Sequence, residues 1–257
     1  MSLSNIRIVL IQTSHPGNIG AAARAMKTMG LSDLCLVNPT QYPDPQAEAM
    51  ASGADDVLQH ARVVPSLSEA IADCQHIIGT SARSQRTLRW RLLEPRECGS
   101  FAAEQAETQK VAIVFGRERT GLTNEELELC HQLVHIPSNP DYSSLNVAAA
   151  VQILSYECRV AHLDRIAAGD KSIVPASGEA SLEEEIVSAK AMEGFYQQLE
   201  QLMIDTDFLD PKNPRYLMRR MRRLYGRIQV TKSELSLLRG SLSAFQGRKF
   251  QRRPKQD

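Results

Sequence analysis

Four short polar stretches of this 257-residue chain each follow an apolar run: "QTSHPGNIG", "GTSARS", "FGRERTGLT" and "IPSNPDYSSLN". In the first, Gly17 and Gly20 stand ahead of a helical pattern, where backbone amides suit an anion. The spacing is G-x-x-G, however, and Val37 with Asn38 occupy the place of the acid that a dinucleotide fingerprint requires. Gly116 and Gly121 in the third stretch are spaced like a phosphate loop, but Leu122 replaces its lysine. No G-x-S-x-G elbow is present for a serine hydrolase. Arg24 lies alone among Ala, Met and Ile, so its guanidinium is solvent-exposed, paired, or turned toward a site. Arg117, Glu118 and Arg119 sit between two glycines that permit close backbone approach to a ligand. Ser143, Ser144 and Asn146 precede "VAAAV" and are helix caps, site residues, or both.

The elements that position these residues follow from periodicity. Short apolar runs at 6–12, 33–38, 61–65, 75–81, 111–116 and 133–137 predict strands. Helical patterns at 18–30 and 66–73, from Thr123, and over 144–165 alternate with them. Such alternation predicts an α/β domain with a mostly parallel sheet and helices on both faces. Ligands of such sheets bind at the carboxyl edge, where the four polar stretches end up. Residues 1–165 are therefore expected to form one domain, and the Gly/Ala/Ser/Pro-rich residues 166–181 a linker. Residues 182–250 predict a small all-α module, its first helix opening at a Ser181–Glu184 capping box, followed by a basic tail at 251–257.

Five scattered cysteines without C-x-x-C and six unclustered histidines predict reduced thiols, a cytoplasmic protein and no metal. No apolar run is long enough for a membrane span. Net charge is zero but polarised: residues 211–257 hold 14 Lys and Arg against 2 Asp and Glu, while the first 210 hold 16 and 28. The basic end points to nucleic acid, or else to a solvated tail.

Three stretches taken together carry a resemblance. "NIGAAAR", "VFGRERTGLT" and "IPSNPDYSSLNVAAAV" are similar, in order, to the three motifs of the SPOUT (SpoU-like) RNA 2′-O-ribose methyltransferases. With "GTSAR" they look most like the bacterial TrmJ type, which acts on nucleotide 32 of the tRNA anticodon loop. The resemblance covers roughly residues 5–165. It implies a C-terminal trefoil knot in the α/β domain and S-adenosylmethionine as cofactor. By motif position, Thr80, Ser81, Ala82, Gly116, Ile136, Ser143, Ser144 and Leu145 would contact that cofactor. Arg24, Asn18, Glu118, Ser144 and Asn146 would serve the reaction. Arg24, Arg83, Arg86, Arg117 and Tyr142 would contact RNA, joined by Arg219, Arg220, Arg222 and Arg223 of the basic helix. The family also implies a homodimer whose active site is shared, with "AAARAM" and "NVAAAV" packed against the partner. Alternatives are methylation of ribosomal RNA, or a non-catalytic RNA-binding protein on the same fold.

Overall fold

The computed structural model describes residues 2–81, 91–169, 185–214 and 216–246. The chain divides into two compact units, Met1–Ser177 and Gly178–Asp257.

In the first unit, a short 3-10 turn at Ser2–Asn5 leads into β1 (Ile6–Ile11), every residue of which is buried. Helix α1 (Pro16–Met29) opens with Pro at N1 and closes on Gly30, whose left-handed backbone suits glycine. It starts two residues earlier than its periodicity indicated, so Gly17 lies inside the helix. Next come β2 (Asp33–Val37), α2 (Pro45–Ala51), α3 (Asp55–Gln59), β3 (Arg62–Val64), α4 (Leu67–Ala70) and β4 (His76–Thr80). The chain continues through β5 (Leu92–Leu93), α5 (Pro95–Gln105), β6 (Val111–Phe115), α6 (Asn124–Glu128), β7 (Gln132–Val134) and α7 (Val147–Ala167).

The seven strands form one sheet in the order β3-β2-β1-β6-β4-β7-β5. Every neighbouring pair is parallel. The expected parallel sheet with flanking helices is therefore present. The central strands β1 and β6 are buried along their whole length, as a sheet covered on both faces requires.

Backbone-to-backbone approach sets the helix layer. A Cβ on Gly20 would lie 1.9 Å from the Ala47 carbonyl oxygen of α2, and one on Gly99 of α5 would lie 2.5 Å from the Glu157 carbonyl carbon of α7. Neither position tolerates alanine without displacing a helix. Gly20 is thus a packing residue of α1. The sequence reading passed over α2, α3, α5 and β5. Helices α2 and α5 both begin at Pro, and α5 carries Gly99, so their signals looked like loops.

At the amino edge of the sheet a buried guanidinium gathers its neighbours. Arg7 donates to Asp33 (2.9 Å), to both carboxylate oxygens of Asp73, and to the Ala70 carbonyl (2.8 Å). Lys110 adds a 2.7 Å bond to Asp73. The hydrogen bonds from Arg7 hold the Asp73 carboxyl well below the usual carboxylate range.

In the second unit, α8 (Ala189–Asp205), α9 (Leu217–Tyr225) and α10 (Lys232–Phe245) enclose a core that includes Phe195, Tyr196, Leu199, Leu235 and Leu242. Helix α8 starts at Ala189 with Ser188 as its cap, later than the expected start at 182. The segment ahead of it is extended instead: Ile186 bridges Thr231, and the Val187 amide donates to the Val230 carbonyl at 2.9 Å. Ser181 and Glu184, most of the expected linker and the basic tail lie outside the described residues. The first two linker positions belong to α7.

Candidate functional site

Because the sheet is parallel, the segments after β1, β4, β6 and β7 all leave from one edge. The loop after β6 is the tightest of them. Gly116 and Gly121 close it back to back: a Cβ on Gly116 would meet the Gly121 carbonyl carbon at 2.2 Å, and Gly121 has φ +70. Arg117 and Gly121 exchange two backbone hydrogen bonds, of 3.2 and 2.9 Å. The Arg117 side chain completes the turn, donating to Gln12 at 2.6 Å and to both oxygens of Glu126 at 2.9 and 3.0 Å. This guanidinium is committed within the protein, which leaves it poorly suited to RNA phosphate.

Glu118, the next residue, points the other way. Its carboxylate accepts from the Ser14 amide (3.1 and 3.3 Å) and from the Asn18 amide nitrogen (3.2 Å). Burial alone would raise the Glu118 carboxyl. Hydrogen bonds from its own amide, Asn18, and the Ser14 and His15 amides outweigh that and lower it. The chain of contacts continues, because Asn146 Nδ2 donates to Asn18 Oδ1 at 3.0 Å. Hydrogen bonds therefore join the start of α1, the turn after β6 and the start of α7.

Asn146 is also the N-cap of α7, its Oδ1 accepting from the Ala148 amide at 2.8 Å. The capping reading of Ser143 and Ser144 is corrected here. The helix begins at Val147, and both serines are exposed in the preceding segment. In that segment Ser138 donates to the Ser143 carbonyl, and the Tyr142 amide to the Asn139 carbonyl. Tyr142 is 78% exposed and Leu145 is 41% exposed, while Ile136 at the other end packs against the core.

Thr80 ends β4, and the Ser81 amide donates to the Val134 carbonyl at 2.9 Å. His135 Nδ1 lies 3.0 Å from the Ser81 carbonyl oxygen, which fixes the two strand ends side by side. Ala82, Arg83 and Arg86 lie outside the described residues.

Arg24 is exposed on α1. Its side chain has no hydrogen bond or ion pair among the described residues, and it stands on the helix that carries Asn18. The alanines expected against a partner are mostly used internally: Ala22, Ala23, Ala25 and Ala148 are buried within the unit. Ala21, Ala149 and Ala150 are half-buried, Ala21 and Ala150 packing against the core, and the exposed apolar residues are Tyr156, Leu163 and Ile166 farther along α7.

In the second unit the four arginines of α9 part company. Arg222 forms a two-point ion pair with Glu193 (2.6 and 2.8 Å) and lies over the Tyr196 ring at 4.6 Å. Arg219 lies over Tyr216 at 5.2 Å, and Arg220 is exposed.

Sequence reasoning missed Ser14, Gln12 and Glu126. Gln12 looked like the last residue of a strand. Glu126 looked like a first-turn acid of α6, which it is: its carboxylate also accepts from the Thr123 amide in a capping box.

The model of the SpoU rRNA methylase family matches residues 5–156, the span that holds the hydrogen-bonded groups just described at the carboxyl edge. The chain belongs to the SpoU methylase family. A second family model, the C-terminal domain of the tRNA methyltransferase TrmJ, matches residues 190–256. The tRNA (cytidine/uridine-2′-O-)-methyltransferase TrmJ of Pectobacterium atrosepticum is 53% identical over 95% of this chain and 98% of that protein. The tRNA (cytidine/uridine/adenosine-2′-O-)-methyltransferase TrmJ of Pseudomonas aeruginosa is 53% identical over 95% of each. The crystal structure of TrmJ from Z. mobilis matches this SpoU-family chain with TM-score 0.78 and 33% identity, over 93% of this chain and 98% of that one. Among the described residues no helix is long and apolar enough to cross a membrane.

Proposed function

We propose that the chain is an S-adenosylmethionine-dependent 2′-O-methyltransferase of tRNA. It acts on cytidine or uridine, at nucleotide 32 of the anticodon loop, in the cytoplasm and as a homodimer with a knotted catalytic domain. The observation that carries the chemistry is the Glu118–Asn18–Asn146 network with an exposed Arg24, unpaired among the described residues, on the same helix as Asn18. The tRNA class is favoured over ribosomal RNA because the second unit matches the TrmJ C-terminal domain. The exposed apolar residues of α7 support a second copy, and position 32 and the knot rest on the resemblance.

The carboxyl edge fits the cofactor. The segment from Ile136 to Leu145 offers an apolar residue at each end, and exposed Leu145 is uncovered apolar surface beside backbone groups. Such a surface suits an adenine ring held by main-chain polar groups, with Thr80, Ser81, Gly116, Ser143 and Ser144 around it. When bound, S-adenosylmethionine supplies a methyl group already activated on a sulfonium.

The protein's part is then positioning and charge stabilisation. Arg24 contacts the phosphate beside the target ribose and stabilises the 2′-oxygen as it becomes an alkoxide. A guanidinium does not accept the proton, since its pKa exceeds about 12. The proton passes to a phosphate oxygen of the substrate. Glu118, held ionised, is an anchor rather than a base: it fixes Ser14 and Asn18. Asn146 then fixes the start of α7 against the substrate side. Tyr142, with Arg83 and Arg86, contacts the RNA near the site.

The direct test is incubation with labelled S-adenosylmethionine and total RNA, followed by mapping of the methylated nucleotide. Label at the ribose of tRNA nucleotide 32 is expected. Label confined to ribosomal RNA, or to a base, overturns the proposal.

A further inference from the structure

One cavity of about 490 Å³ lies wholly within the second unit. It is lined by Phe208, Asp210, Asn213, Pro214, Tyr216 and Arg220, with Leu217. Its size falls in the range that holds small ligands. Two aromatic rings face solvent there: Phe208 is 67% exposed and Tyr216 is 60% exposed. Two exposed aromatics around one cavity offer flat apolar faces with no cover among the described residues.

The local backbone holds Phe208 outward. Asp207 adopts φ +56, which ends α8 sharply. The amides of Phe208 and Leu209 then both donate to the Met203 carbonyl at 2.9 Å. Leu209 enters the core, so its neighbour cannot. The rest of the rim is tied to itself. The Lys212 amide donates to Asp210 Oδ1 at 2.8 Å, the Asn213 amide to the Asp210 carbonyl at 3.0 Å, and the Arg220 amide to the Tyr216 carbonyl at 3.0 Å. Arg219 lies over the Tyr216 ring, and Arg220 is exposed at the mouth.

We infer that this cavity is a nucleotide-binding subsite for one unpaired base of the RNA substrate, remote in sequence from the catalytic motifs. Phe208 and Tyr216 stack on the base, as aromatic residues do with splayed single-stranded nucleotides. Asn213 and the Asp210 carboxylate offer a donor and acceptors to its polar edge. Arg220 meets the adjoining phosphate, in keeping with the basic charge of residues 211–257. The inference rests on the tRNA reading above, and it adds a specific contact to a surface otherwise described only by its charge.

The test uses the full chain and four variants: Phe208→Ala, Tyr216→Ala, Phe208→Trp and Arg220→Gln. Binding is measured to tRNA, to a short oligouridylate and to an RNA duplex, as a function of salt, together with kcat and KM for tRNA methylation. Each alanine variant should weaken oligouridylate and tRNA binding about 5- to 100-fold. KM should rise with kcat held, and the salt slope and duplex binding should not change. Phe208→Trp should retain affinity, which separates stacking from loss of folding. Arg220→Gln should lower the salt slope by about one. Alanine variants that bind oligouridylate like the parent, or that lose duplex binding equally, overturn the subsite. Loss of oligouridylate binding in the alanine variants, from a parent that never methylates tRNA, upholds the subsite and sinks the tRNA reading.

Discussion

The two edges of the parallel sheet treat their charges in opposite ways. At the amino edge, Arg7 is 3% exposed and its donors are taken by Asp33, Asp73 and the Ala70 carbonyl. At the carboxyl edge the polar groups are ordered but less enclosed, and α1, which starts there, carries Arg24 without a partner among the described residues. The first arrangement holds strands together. The second adds little to stability, because an exposed cation contributes little to folding, and it keeps groups available for a substrate. A charge that is fully satisfied has no chemistry left to do.

The sharpest way to test the contrast is to remove one arginine from each place. Arg24→Ala should cut methyl transfer to tRNA about 100- to 1000-fold, on the scale of losing one preorganised charge-stabilising donor, with thermal unfolding unchanged. Full transfer at normal tRNA affinity would remove Arg24 from its central role. Arg7→Met should do the reverse. It leaves Asp33 and Asp73 without their guanidinium and should lower stability by about 3–5 kcal/mol, read from denaturant midpoints, while the folded fraction keeps its turnover. Activity lost in proportion beyond unfolding would blur the two edges.

Smaller changes sharpen it further. Glu118→Gln keeps the shape and one accepting oxygen but removes the charge and the second acceptor, so that an NH2 faces the Ser14 amide. About a tenfold fall in kcat is expected, from the roughly 1–3 kcal/mol of unsatisfied donors, with KM for the cofactor less affected. An unaltered kcat would show that the Ser14–Asn18 anchor is dispensable.

A change of pH probes the same contrast without a substitution at the site. His131 lies just ahead of β7, and burial, with His76 nearby, pushes its imidazole down to about 4. The unfolded value is about 6.5, so the unfolded state binds the extra proton first. Stability should be whole above pH 6.5 and fall as pH drops toward 4, by at most about 1.4 kcal/mol per unit. His131→Gln should flatten that slope. Glu118 is lowered from its ordinary value, so the network at the carboxyl edge should keep its charge in the upper part of that window, where even an ordinary carboxylate is ionised. If activity per folded molecule titrates there, the site contains a group not yet assigned.

Much of the sheet was legible in the sequence because buried parallel strands are continuous apolar runs, as "IRIVLIQ" and "VAIVFG" are. What escaped was information carried by size and by distance. Gly20 reads as an anion-site glycine and Gly99 carries no signal of its own, yet at both a second helix backbone passes within contact. Arg117 and Arg24 look alike in the sequence. They differ because Gln12 and Glu126 converge on one, while among the described residues no side chain pairs with the other. Arg222 and Arg220 differ for the same reason, through Glu193. Ser143 and Ser144 were plausible caps, and only the helix start at Val147 gave that task to Asn146. The polar clusters that form the site could be located; which of their members would be held and which left open could not.

The cap has a further consequence, which is direction. Asn146 Oδ1 is occupied by the Ala148 amide, so its NH2 must face Asn18. Asn18 is then obliged to present oxygen to Asn146 and NH2 to Glu118. Neither amide can be turned over without breaking a bond at both ends. The helix start thereby sets a polarity that runs one way across three segments and ends on a carboxylate. Asn146→Asp would still cap α7 but would place two acceptors face to face, and the only relief is a flip of Asn18 that abandons Glu118. A single atom's choice at the cap of one helix is thus read out, unreversed, in the turn after another strand.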